Sequence, residues 1–301
     1  MNRMTLDQLR VFVAVAERQH LTRAADALNL AQSAVSSAIS TLEERHNTKL
    51  FHRVGRGIEL TEVGRFFATE ARAVLARVAS AELMLAEHAG LKRGTLTVQA
   101  SQTIAGYWLP RHLVAFRRTY PGIDIRLTVS NTRQAAEAVL NGSAELGFVE
   151  GPINESLLTS APVARDQMIM VVGADHPWVE KADIRPDDLI KTDWIMRESG
   201  SGTRVAFEQA LKAFGISLCS LRIVMELPSN ESVRAAIEAG MGAGVISASV
   251  AAPSIESNLM YPAKITLPDR SFYVLRHAER YHSQAGRTLL EMISGRIGRN
   301  P

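Results

Sequence analysis

Apolar residues recur at helical spacing from the start of the chain. Leu6, Leu9, Val13 and Ala16, with Phe12 beside them, predict a helix over residues 5–18. Thr22 precedes Arg-Ala-Ala-Asp-Ala-Leu in the place of an N-cap, and Asn29 closes this second short helix. A third helix, from about Gln32 to Glu44, points Val35, Ala38, Ile39 and Leu42 inward. Its other face carries Gln32, Ser33, Ser36, Ser37 and Ser40, where long charged side chains are usual. Serine is a mediocre helix former, so propensity does not explain that face. Close approach of another molecule does. Three short helices with a tight turn before the third predict a helix-turn-helix, whose last helix enters the major groove. Gln32 suits adenine N6/N7, and serine hydroxyls donate or accept at any base edge. Thr22 and Arg23 join them as candidate DNA contacts.

Short apolar stretches in residues 49–60 flank a hairpin-like tip at Gly55-Arg56-Gly57. Arg53 and Arg56 stand where a wing reaches phosphates. Thr61 then caps a long helix in which Phe67, Ala71, Val74, Val78, Ala81 and Leu85 alternate four and three apart. That spacing is a heptad seam over roughly three heptads and predicts pairing with a second chain. The seam ends near Ala-Gly-Leu-Lys-Arg-Gly, residues 89–94, a natural break.

Beyond Gly94 the period changes. Residues 94–100, 123–130 and 144–151 read as strands, separated by helices such as 132–141, which implies an open α/β sheet. Residues 129–149 and 227–247 share a layout of strand end, Ser-Asn, helix, Gly and strand, which points to two similar lobes. Ligands of such sheets bind outside the strand carboxyl ends. That rule nominates Ser101, Gln102 and Thr103; Asn131 and Thr132; Glu150; and the stretch Arg197-Glu198-Ser199-Gly200-Ser201-Gly202-Thr203-Arg204. The hydroxyls of Ser199, Ser201 and Thr203, with backbone N–H groups freed by glycine at a helix start, suit an oxyanion. Arg204 falls in that helix's first turn, where the macrodipole disfavours a cation, so a bound anion, Glu150 or Glu226 is expected to offset it.

Composition narrows the class. The chain has 301 residues, enough for two domains, with 46% hydrophobic and 22% charged residues, as in a soluble protein with real cores. A formal net charge of +3 is too mild to announce nucleic acid by itself. One cysteine, Cys219, excludes an internal disulfide and is expected to be a buried small hydrophobe. No signal peptide and no membrane span are legible, so a cytoplasmic location is expected. The histidines are scattered without metal-ligand spacing, and neither Ser199 nor Ser201 sits in a G-x-S-x-G elbow. Asp187 and Asp188 read as a helix's first turn. No enzyme, cofactor or metal is expected.

Residues 21–53, LTRAADALNLAQSAVSSAISTLEERHNTKLFHR, followed by ELTEVG, resemble the N-terminal signature of the LysR-type transcriptional regulators. Ala31 departs from the Ser or Thr usual before the recognition helix, which removes a side-chain cap worth about 1 kcal/mol. Ser37 stands where many members carry Arg. Further on, TIAGYWLP, SNT, GFVEG and RESGSGTR are similar to the branch containing carbon-fixation-operon and sulfur-related regulators. The resemblance implies a winged helix-turn-helix over residues 1–60, a linker helix over 61–90 that pairs two subunits, and an effector domain over 91–301. That domain is implied to be a bilobal α/β fold of periplasmic-binding-protein type, with lobe I at about 91–162 and 268–301 and lobe II at about 163–267. The chain crosses between lobes near Ala161–Ala164 and Tyr261–Pro268.

The function implied is a ligand-responsive regulator of an inverted-repeat promoter site on double-stranded DNA. Its partners are a small anionic effector, a second copy of itself in a dimer or tetramer, and RNA polymerase, with no membrane. The alternative is a cytoplasmic solute-binding or carrier protein with a helical N-terminal extension.

Overall fold

The computed structural model describes residues 4–55, 57–88 and 94–297. Residues 1–90 form most of one compact unit, and residues 91–139 and 144–301 form the other.

The first unit opens with α1 (Leu6–Arg18), started by a Thr5–Gln8 capping box and stopped by Gln19 in the left-handed region. α2 (Leu21–Leu28) ends on Asn29, also left-handed, as a tight turn to the next helix requires. α3 (Gln32–Arg45) follows without a side-chain cap at Ala31. Phe12, Val15, Ala24, Ala25, Val35 and Leu42 make the core of this three-helix layer. The strands β1 (Phe51–Val54) and β2 (Gly57–Leu60) pair antiparallel as a wing, with Gly55 at a φ of 58° in the turn. Arg56 at the wing tip lies outside the described residues, as do residues 89–93.

The Thr61 hydroxyl accepts from the Gly64 N–H at 2.9 Å and donates to the Lys49 carbonyl at 2.8 Å, capping α4 (Glu62–His88) and tying it to the wing. The heptad stripe on α4 divides. Phe67 and Ala71 pack into the first unit's own core beside Phe12. Val74, Ala81 and Leu85 are exposed, as are Val63 and Phe66.

The second unit holds two five-stranded sheets. Its elements in chain order are β3 (Gly94–Ser101), a π-helical turn at Ile104–Trp108, α5 (Leu109–Thr119), β4 (Ile123–Ser130), α6 (Thr132–Asn141), β5 (Leu146–Glu150), β6 (Leu158–Asp166), β7 (Met168–Gly173), α7 (Pro186–Leu189), β8 (Asp193–Arg197), α8 (Gly202–Ala213), a 3-10 turn at Leu218–Ser220, β9 (Arg222–Leu227), α9 (Asn230–Glu238), β10 (Ala243–Ser247), α10 (Ala248–Glu256), β11 (Met260–Pro262), β12 (Arg270–His277) and α11 (Gln284–Ile297).

The first sheet has the order β4-β3-β5-β12-β6 and the second β11-β7-β10-β8-β9. β3, β4 and β5 run parallel, as do β8, β9 and β10, while β6, β7, β11 and β12 pair antiparallel to their neighbours. The chain leaves the first sheet after Asp166 rather than within Ala161–Ala164, because β6 keeps its ladder to β12 up to the Arg270↔Asp166 pair. It returns between Pro262 and Arg270, so β12 and α11 complete the first sheet's layer, with Leu289 and Ile293 in its core.

The second sheet is covered on both faces. Trp178, Trp194, Phe207 and Leu211 pack on one side, and Val233, Ile237, Val250 and Ala251 on the other. Cys219 departs from the expected buried position. It lies exposed in the 3-10 turn, where no strand or helix face draws it inward. Asp187 and Asp188 do stand in the first turn of α7. No helix among the described residues is long and apolar enough to cross a membrane.

Candidate functional site

The face of α3 presents Gln32, Ser33, Ser37 and Ser40 to solvent, with Ser36 half-buried. Val35, Ile39 and Leu42 hold the opposite face in the core. Small side chains leave the helix backbone accessible to a groove about 12 Å wide. Thr22 is not the N-cap of α2. His20 takes that place, its Nδ1 accepting the Arg23 N–H at 3.4 Å, so the helix starts earlier and Thr22 is its second residue. Thr22 and Arg23 are both exposed. Arg53 on β1 is exposed and forms no ion pair among the described residues.

A feature the sequence reading passed over fixes α3 to the wing. Glu43 is buried on the inner side of α3 and accepts the Leu50 and Phe51 N–H groups at 2.9 and 3.1 Å and the Lys49 ammonium at 2.6 Å. Burial pushes the Glu43 carboxyl up, but the Lys49 ammonium and the two backbone donors outweigh it. The group therefore titrates below the ordinary carboxylate range. An acid in the last turn of α3, seven and eight residues before the amides it accepts, was the available signal, and it reads equally well as a solvated helix end.

In the second unit, strand and helix ends from both sheets meet in one buried polar cluster. The first sheet brings Ser101 and Thr103 from the end of β3, Thr132 from the start of α6, Glu150 from the end of β5, Asp166 from the end of β6 and Arg270 from the start of β12. The second brings Arg197 from the end of β8, Ser201, Gly202 and Thr203 from the start of α8, and Asn230 from the start of α9.

Arg270 is the hub. Its Nε donates to Asp166 Oδ2 at 2.7 Å, Nη1 to Thr203 Oγ1 at 3.1 Å and Nη2 to Thr103 Oγ1 at 3.3 Å, and Nη2 lies 3.7 Å from Glu150 Oε1. The Ser247 hydroxyl, at the end of β10, donates to the other oxygen of Asp166 at 2.6 Å. Thr132 donates to Glu150 Oε2 at 2.8 Å. Asn230 donates to Thr103 Oγ1 at 3.0 Å and accepts from Arg197. Arg197 makes a two-pronged pair with Glu198 at 2.8 and 3.0 Å. Ser101 is 1% exposed and its hydroxyl has no hydrogen-bond partner among the described residues, an expensive state for a buried polar group.

At the rim, Gln102 donates to the Pro228 carbonyl and accepts the Asn230 N–H, both at 2.9 Å. Asn131 donates to Glu198 at 3.2 Å, and Arg133 donates to the exposed Ser199 at 2.8 Å. Arg204 stands apart from the hub. Glu208 one turn along α8 and Glu226 on β9 hold it, which raises its pKa further and leaves its charge already offset. Glu226 therefore pairs with Arg204, and Glu150 faces Arg270 instead.

The strand-end rule thus finds Ser101, Thr103, Thr132, Glu150, Arg197, Ser201, Gly202 and Thr203 in one buried place. It misses Arg270, Asp166, Asn230 and Ser247. Asn230 was within reach, since it repeats Asn131 in the Ser-Asn echo of the two lobes. Arg270 has no local signal, because its role depends on a strand returning from the second sheet.

Comparison with known proteins covers both units. Residues 6–65 match the model of the bacterial regulatory helix-turn-helix protein, lysR family, and residues 89–297 match the LysR substrate binding domain. A probable RuBisCO transcriptional regulator of Cyanophora paradoxa is 32% identical over 294 residues, covering 96% of this chain and 91% of the relative. The uncharacterized HTH-type transcriptional regulator YeiE of Escherichia coli (strain K12) is 30% identical over 290 residues, covering 96% of each. The regulatory domain of CcmR from Synechocystis PCC6803, solved in complex with 2-PG, is 29% identical with a TM-score of 0.62, covering 69% of this chain and 99% of that one. The matches run through the recognition helix and the two-sheet unit alike, and the chain belongs to the LysR family of DNA-binding transcriptional regulators.

Proposed function

We propose that this regulator binds an inverted-repeat promoter site as a dimer and answers to a small anionic metabolite held between the two sheets of its second unit. The observation that carries the effector reading is the Ser101 hydroxyl. It is buried and unpartnered among the described residues, in a cluster that also holds Thr103, Thr203 and two arginines. A ligand oxygen would satisfy it, and the start of α8, whose Ser201 makes no side-chain cap, favours negative charge there. The 2-PG bound by the CcmR domain supports an anionic ligand.

The exposed stripe of α4 at Val74, Ala81 and Leu85 supports pairing with a second copy, and two-fold pairing of two recognition helices calls for a palindromic site. Dimers combine into tetramers, the complex works in the cytoplasm, and RNA polymerase is its further partner. The buried hydroxyls bind and no residue is assigned a catalytic step. Effector binding matters only through its preference for one arrangement of the protein over another.

Calorimetry of the full-length protein with 2-PG and a panel of anionic metabolites tests this. Ser101→Ala and Thr203→Ala are each expected to lower effector affinity about tenfold, the worth of a hydrogen bond to a charged group. Gel shift of the effector-free variants serves as the folding control. Binding of neutral apolar compounds alone, or normal binding by both variants, rejects the anionic effector. Failure to shift the promoter beside the regulator's own gene rejects the operator assignment and favours a solute carrier.

A further inference from the structure

Glu150 sits where an anion would be expected. Its carboxylate is buried at the end of β5. Oε2 accepts the Thr132 hydroxyl, and Oε1 faces the Arg270 guanidinium. A Cβ on Gly202, the first residue of α8, would lie 2.7 Å from Glu150 Oε2, so only glycine admits the carboxylate so close to the helix start. The first turn of α8 contains no acidic residue of its own. Glu150 supplies from another strand the negative charge that the turn lacks.

We propose that the Glu150 carboxylate is a built-in occupant of the anion position, and that the effector acts by displacing it. This rests on the anionic-effector reading above and adds how the site is regulated. The two acids on Arg270 are not equivalent. Asp166 holds Nε at 2.7 Å and is itself anchored by Ser247, whereas Glu150 lies 3.7 Å away, beyond hydrogen-bond length. An arriving oxyanion can take the Glu150 place at Nη2, at Thr132 and at the start of α8 while Asp166 keeps the guanidinium fixed. A ligand anion at Nη2, at Thr132 and at the start of α8 would occupy the same place as the Glu150 carboxylate and be strongly repelled by it, so Glu150 swings out as the ligand enters. The side chain that leaves transmits occupancy to the surrounding strand ends.

The test measures dissociation constants of the full-length protein for inorganic phosphate, 2-PG and acetate, in the wild type and in Glu150→Gln. Gln keeps the shape and the Thr132 contact but removes the charge. Phosphate and 2-PG are expected to bind about tenfold tighter to the variant, and acetate to gain less, because repulsion scales with ligand charge. Loosening of the fold alone would change all three alike. Glu150→Asp, which withdraws the carboxylate from α8, is expected to shift affinity in the same direction by less, and it carries the test if the Gln variant does not fold. Measurable wild-type binding that neither variant tightens overturns the displacement while leaving the anionic effector intact. Absence of anion binding by every form overturns both.

Discussion

Gln32 and Arg53 are both exposed on the first unit, yet different physics governs them. Gln32 opens α3, where a recognition helix meets base edges. Its replacement by Ala is expected to cost about 1–3 kcal/mol at the preferred site and to relax preference at one base pair, read by binding to a set of singly substituted operators. An unchanged preference would place the reading face elsewhere. Arg53 extends from the wing. Arg53→Ala is expected to weaken all sequences alike and to reduce the salt slope by about 1, since a phosphate contact releases counterions and carries no sequence information. In the second unit, Gly202 is the sensitive position. An added methyl meets Glu150 Cβ, Glu150 Oε2 and Thr132 Oγ1, each at 2.7 Å. Gly202→Ala is therefore expected to lose about 1–3 kcal/mol of stability by thermal denaturation.

At the scale of elements, α3 and the wing behave as one piece because Glu43 joins them. Glu43→Ala strands two buried N–H groups, at about 1–3 kcal/mol each. Its acid dependence has a definite sign. The folded carboxyl titrates below the unfolded one, so its stabilisation is fully present above about pH 4.3 and is lost as pH falls through the folded value. Protection of the β1 amides from hydrogen exchange, relative to the intrinsic rate at each pH, is expected to fall in that window for the wild type and to show less pH dependence in Glu43→Gln.

The linker helix makes a separate prediction. Val74 and Leu85 are 45% and 66% exposed in the single chain, so Val74→Asp with Leu85→Asp leaves the monomer's core untouched. Charge buried between two helices is costly. Sedimentation of the double variant is expected to lose the α4-mediated dimer, and its persistence would assign pairing to another face.

At the scale of the molecule, the second unit contains a buried charge hub. Arg270→Ala leaves Glu150 and Asp166 without their cation, and breaking a buried pair in this way costs about 3–5 kcal/mol. All three tryptophans, Trp108, Trp178 and Trp194, belong to the second unit, so their fluorescence follows its unfolding without a contribution from the first. The urea midpoint by tryptophan emission is expected to fall accordingly. A midpoint equal to the wild type's would show that the hub contributes nothing to stability.

The sequence by itself determined what is periodic and local. Helix faces, the Asn29 and Thr61 boundaries, the Gly55 turn, the strand end bearing Ser101 and the helix starts bearing Thr132 and Thr203 were all legible, because each is set by residues a few positions apart. Tertiary structure decided the rest. Whether Phe67 and Ala71 face a partner or their own core depends on where α1 lies, and the same heptad spacing serves either. Thr22 and His20 both offer a cap, and the backbone path chose His20. Arg204 and Arg270 are both arginines near strand or helix ends. Only the folded chain shows Arg204 neutralised by Glu208 and Glu226, and Arg270 brought from the far end of the sequence to Asp166 and Glu150. Charge pairing acts through space, and the partners that set an arginine's role here stand up to 120 residues away along the chain, between Glu150 and Arg270.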